Sequence, residues 1–112
     1  MALEINGKSI ELDANGNLVN SADWDEDVCR ALAEIEGIEL TQDHRDVINY
    51  LREQYLDEGG TQPMERVILK DMSKRWGRKL SSKDLYQLFP LAPSKQGNRV
   101  AGLPYVARKG GY

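Results

Sequence analysis

One cysteine, Cys29, and one histidine, His44, are the only side chains in this 112-residue sequence that could act as a soft nucleophile or as a proton shuttle near neutral pH. A single cysteine excludes an internal disulfide, a CxxC redox pair and a cysteine-built zinc centre. A single histidine leaves no second imidazole for a metal, so neither a metal nor any other cofactor is expected. Cys29 falls at the edge of an apolar stripe of Trp24, Val28, Leu32 and Ile35, roughly 100° from its axis on a helical wheel. Asp25, Glu26 and Asp27 beside it would raise the thiol pKa, so Cys29 reads as a half-buried small apolar residue. His44 shares a helical face with Val47, Ile48, Leu51 and Tyr55 and reads as a packed histidine with one ring nitrogen satisfied. The acidic run Asp23, Asp25, Glu26 and Asp27 sits at a helix start, where capping and the helix dipole account for it. No catalytic residue is expected.

The basic residues carry more information. Residues 1 to 60 hold four Lys and Arg against fifteen Asp and Glu, a balance of −11, whereas residues 61 to 112 hold eleven against three, a balance of +8. The net charge of −3 conceals these two poles. Either the halves face each other and neutralise, or one surface attracts an anionic partner. Arg66, Lys70, Lys74 and Arg78 recur at i,i+4 steps and would share a stripe, with Lys79 and Lys83 following. Such a surface could receive an acidic protein, RNA or DNA.

These side chains must be positioned by a chain with room for one domain and one modest core. Leu3 to Leu12 alternates apolar and polar residues on both sides of Asn6-Gly7, a type I′ hairpin signal. A second turn at Asp13–Asn17 precedes Leu18-Val19, a candidate third strand. Asp23 with Glu26 forms a capping-box pattern for a helix over about 24 to 36, stopped by Gly37. Thr41 caps a second helix ending at Gly59-Gly60, and Pro63 opens a third whose wide apolar arc of Met64, Val67, Ile68, Leu69, Met72 and Trp76 predicts a largely buried element. Ser81 or Ser82 caps a fourth helix ended by Pro90, and residues 95 to 101 allow one or two further turns. The fold class is α+β, a β-hairpin or meander on four to five helices. A single domain over 1–104 and a flexible C-terminal arm over 105–112 are expected. Helices three and four with the turn between them also look like a helix-turn-helix, and a nucleic-acid-binding regulator is the alternative function. Leu85, Leu88 and Phe89, however, make helix four look buried. No segment approaches the roughly 18 apolar residues of a membrane span, and Met1-Ala2-Leu3-Glu4 lacks a signal-peptide pattern, so no membrane partner and a cytoplasmic location are expected.

Leu85-Tyr86-Gln87-Leu88-Phe89-Pro90, Pro93, Lys95-Gln96 and Ala101-Gly102-Leu103-Pro104 occur in an order and spacing that resemble the DsrC/TusE family, the gamma subunit of dissimilatory sulfite reductase and the relay proteins for tRNA 2-thiouridine. The likeness extends back through Pro63 with Arg66, Leu40-Thr41 with His44, Trp24 and Asn15-Gly16. The resemblance implies a protein partner of sulfur metabolism, a sulfite reductase or relay complex, docked through Lys95, Gln96, Arg99, Leu103, Pro104, Tyr105, Arg108, Lys109 and Tyr112. It also implies a sulfur-bearing cysteine next to last in the arm and, in sulfite-reductase partners, a second one just after the Lys-Gln segment. Here residues 105 to 112 contain no cysteine and Asn98 occupies the second position. Ala92 stands where the family usually has glycine, and Arg45 where it often has tryptophan. A persulfide relay needs a nucleophilic thiolate. The sequence therefore reads as a sulfur-metabolism binding protein that does not carry persulfide itself.

Overall fold

The computed structural model describes residues 2–105. Strands β1 (Ala2–Ile5) and β2 (Lys8–Glu11) pair antiparallel with Leu3 opposite Ile10 and Ile5 opposite Lys8. Asn6 and Gly7 both take positive φ, 53° and 79°, as a type I′ turn demands. The expected third strand shrinks to a single bridge between Leu12 and Leu18. Asp13 explains this, because its Oδ1 accepts the N–H groups of Asn15 and Asn17 and closes the turn too tightly for a longer ladder.

Five α-helices follow: α1 (Glu26–Ile35), α2 (Gln42–Asp57), α3 (Glu65–Trp76), α4 (Ser82–Leu88) and α5 (Gln96–Val100). The start of α1 differs from the sequence expectation. Ser21–Asp23 form a 3-10 turn capped by Asn20, Trp24 is extended, and Asp25 caps α1 by accepting the Val28 N–H at 2.9 Å. Trp24 is drawn out of the helix because its ring is needed elsewhere, against the C-terminal segment. Thr41 caps α2 as expected, and Ser81 with Asp84 forms a reciprocal capping box on α4. Pro63 lies two residues before α3, since Met64 is extended and the first helical residue is Glu65, which turns inward to accept the Ser94 N–H at 2.6 Å.

Nor is α3 largely buried. Ile68 and Met72 are inside, but Val67 is 44% exposed and Arg66, Lys70 and Lys74 face outward. Gly77, at φ 64°, ends the helix in the left-handed conformation, so Arg78 leaves the i,i+4 row and its guanidinium lies 5.5 Å from the Trp76 ring.

The core has two parts. Tyr50, Leu51, Ile68, Met72, Leu85, Phe89 and Leu103 anchor the larger, among α2 to α5, while Ile10, Leu12, Leu18, Val28 and Leu32 fasten the hairpin to α1. Trp24 packs against both and joins them.

Candidate functional site

The C-terminal segment is held by its backbone carbonyls. Trp24 Nε1–H donates to Val100 O at 3.0 Å, Arg52 Nη1 to Ala101 O at 2.7 Å, Asn17 Nδ2 to Leu103 O at 3.0 Å and Gln62 Nε2 to Pro104 O at 2.9 Å. The guanidinium of Arg52 also lies 4.1 Å from the Trp24 ring centroid, a cation–π stack that orients both donors. Gly102 makes the approach possible: a Cβ there would stand 2.8 Å from Cβ and Cγ of Trp24 and nearer still to Cδ1, and its φ of +70° also favours glycine. These four donors come from the turn after β2, the entry to α1, the middle of α2 and the loop before α3. They fix the course of the segment from Val100 to Pro104 over the body.

A second clamp seats α5. Glu36, just past α1, receives Arg99 Nε at 3.0 Å and Nη2 at 2.9 Å, and Gln96 Nε2 at 3.1 Å. Burial alone would raise the Glu36 carboxyl, but the bonds from Arg99 and Gln96 outweigh it and hold the group below its ordinary value. Gln96 also accepts the Leu91 N–H through Oε1.

The expected docking residues therefore divide. Gln96 and Leu103 are buried and Arg99 is paired, so these three position the segment and present little surface. Lys95 and Pro104 are half-buried, and Tyr105 is 45% exposed. Arg108, Lys109 and Tyr112 lie outside the described residues. The anchors Asn17, Trp24, Arg52, Gln62 and Glu36 were absent from the sequence expectation, and no spacing rule finds them because each reaches its partner across 42 to 86 residues of chain. A buried loop carbonyl needs a donor, but sequence does not say which.

Two polar features bear on chemistry. Cys29 is 1% exposed, deeper than the half-burial expected, and burial, helped by the Glu26 charge, pushes its thiol up to about 11. It is therefore a neutral thiol with little access to solvent. His44 has both ring nitrogens engaged: Nδ1 accepts the Thr41 N–H at 3.1 Å and Nε2 donates to Leu88 O at 2.8 Å. Its ring meets Phe89 edge to face at 5.2 Å. Those two bonds require the neutral Nε2–H tautomer and leave no nitrogen for a substrate. Among the described residues no group of three or more His, Cys, Asp or Glu is placed to hold a metal.

A surface cavity of about 440 Å³ is lined by Asp46, Asn49, Glu53, Met72, Arg75 and Trp76. Its charges are already satisfied, since Trp76 Nε1–H and Gln42 donate to Asp46 and Arg75 pairs with Glu53 at 2.7 Å. The geometry anchors the segment from Val100 to Pro104 by its carbonyls, and among the described residues no thiol lies beside it.

A family model described as DsrC like protein matches residues 4–107. This chain belongs to the DsrC family. Among relatives, it is 45% identical over 103 residues to Sulfurtransferase TusE of Yersinia pestis, covering 91% of this chain and 94% of that protein. The solution structure of Allochromatium vinosum DsrC superposes with a TM-score of 0.87 at 40% identity, covering 96% of this chain and 98% of that one. The oxidised gamma-subunit of the dissimilatory sulfite reductase (DsrC) from Archaeoglobus fulgidus gives 0.86 at 34% identity with the same coverage. The Yersinia relative is named a sulfurtransferase, and the Archaeoglobus protein is a subunit of a dissimilatory sulfite reductase. The matches do not bear out a chain set apart from the family by lost cysteines, and they lend nothing to the nucleic-acid alternative. The structure also weakens that alternative, because α4, the would-be reading helix, has seven residues and buries Leu85, with Phe89 just beyond it. No helix among the described residues is long and apolar enough to cross a membrane.

Proposed function

We propose that this DsrC family member works by binding a protein partner of sulfur metabolism through its C-terminal part, from Pro90 onward, and does not itself transfer persulfide. Persulfide transfer is an exchange in which an acceptor thiolate attacks the outer sulfur of a donor persulfide. A new S–S bond forms as the donor S–S bond breaks, and the donor leaves as a thiolate. The observation that carries the proposal is the chain's thiol inventory: its single cysteine, Cys29, is buried with its pKa pushed to about 11, and residues 105 to 112 contain none. What remains is an anchored segment that reaches an exposed aromatic, Tyr105, followed in sequence by the basic residues Arg108 and Lys109. Occupation, in the cytoplasm, of the cleft that a sulfur-bearing DsrC family member would use is the function such a segment supports.

Incubation of the purified chain with a small persulfide donor, followed by intact-mass measurement, tests the chemical half. No mass gain of one sulfur atom is expected, and a stable stoichiometric gain on Cys29 would sink the proposal. Competition for a sulfite reductase or TusE-type relay complex tests the binding half. Displacement of a sulfur-bearing DsrC by this chain is expected, and its weakening by Tyr105→Ala with Arg108→Ser is the signature of the C-terminal segment.

A further inference from the structure

The basic face of α3 remains unabsorbed by that reading. Arg66, Lys70 and Lys74 project from one outward arc of the helix, about 12 Å from end to end, and Val67 is exposed beside them. None of the three makes an ion pair among the described residues. Each of the three carboxylates in the second half of the chain is engaged within the fold: Glu65 accepts the Ser94 N–H, Asp71 accepts the Tyr50 hydroxyl at 2.5 Å and Asp84 accepts the Ser81 N–H at 2.8 Å. The acidic half does not come round to neutralise the stripe. Across the two halves, among the described residues, the ion pairs are Arg75 with Glu53 and Arg99 with Glu36, and neither involves these cations.

We infer that this face is a second docking surface, separate from the C-terminal segment, for an acidic, partly apolar patch on a protein. Charge complementarity selects an anionic partner. A protein suits better than nucleic acid for two reasons on this molecule. Val67, 44% exposed among the cations, calls for an apolar contact that a phosphate backbone lacks, and α4 offers few outward side chains to enter a groove. The whole chain is also acidic at net charge −3, which opposes long-range capture of a polyanion as large as duplex DNA.

The test uses the full chain and a synthetic helical peptide with three glutamates at i,i+4 spacing and one leucine beside them. Salt-sensitive binding to this peptide is expected, weakened about tenfold or more by Arg66→Glu/Lys70→Glu/Lys74→Glu and recovered when the probe's glutamates become lysines. Val67→Ser should weaken it a few-fold, and Arg108→Ser/Lys109→Ser should leave it unchanged, which separates failure of this face from failure of the C-terminal reading. If the reversed variant does not fold, Arg66→Gln/Lys70→Gln/Lys74→Gln keeps the same expectation of loss. Absence of binding, equal binding by the reversed variant, loss on changing Arg108 and Lys109, or tighter binding of a duplex DNA of equal charge would each overturn the inference.

Discussion

At the scale of single residues, Cys29 shows how placement decides chemistry. In an unfolded chain a cysteine loses its proton near pH 9.0, whereas burial delays this in the folded protein to about 11. Between those values the unfolded state has released a proton that the native state still holds, so stability falls as pH rises through the window. Tyr50 adds in the same direction further up, because burial and its bond to Asp71 raise the phenol as well. Replacing Cys29 with Ala should therefore flatten the alkaline limb by about 2 kcal/mol between roughly pH 9 and pH 11. Urea midpoints of the wild type and variant, compared at about pH 8 and about pH 10.5, measure this. Parallel losses in both proteins would show that the thiol is already exposed.

At the scale of elements, the turn from α4 into α5 is held under strain. Ala92 has φ 92°, a left-handed conformation that costs a residue with a Cβ about 1 kcal/mol or more. It cannot relax cheaply, since its carbonyl accepts the N–H groups of Lys95 and Gln96 and so begins α5. The glycine that the resemblance leads one to expect at this position would take this φ without that penalty. Ala92→Gly is expected to stabilise the protein by about 1 kcal/mol, less the entropy that glycine adds to the unfolded chain, and to raise the unfolding temperature by several degrees. Calorimetry decides, and an unchanged or lower midpoint would mean the turn carries no strain. α2 shows the opposite economy, with Thr41 and His44 capping each other while His44 also ties α2 to Leu88 at the end of α4.

For the molecule as a whole, Arg52 and Trp24 bind the first and last thirds of the chain together. Arg52 donates to Ala101 O and, at 3.5 Å, to Ser21 O, while stacking on Trp24, which donates to Val100 O. Arg52→Ala should cost about 2–3 kcal/mol through the loss of a charged donor to a buried carbonyl. Its particular mark should be local: amide exchange at Gly102 and Leu103 speeds up while the interior of α2 stays protected. Uniform loss of protection, or none at Gly102 and Leu103, would refute the clamp. The charge poles are also a property at this scale. Most of the cations of the second half remain on its surface, so the asymmetry read from the sequence persists in the fold.

Much of the architecture was written in local signals. Asn6-Gly7 fixed the hairpin turn, Thr41 and Ser81 marked helix starts, Gly37 and Gly77 marked ends, and the motif from Leu85 to Pro104 carried the family. These are decided by short-range sterics and hydrogen bonding, which sequence spells out directly. Only the tertiary structure moved Trp24 out of α1, brought Asn17, Arg52 and Gln62 to the carbonyls of the C-terminal segment, buried Gln96 and Leu103, and left Arg66, Lys70 and Lys74 without ion-pair partners. Those outcomes depend on which distant groups meet once the core closes. Contacts across scores of residues leave no periodicity in the sequence, and so three dimensions had to decide them.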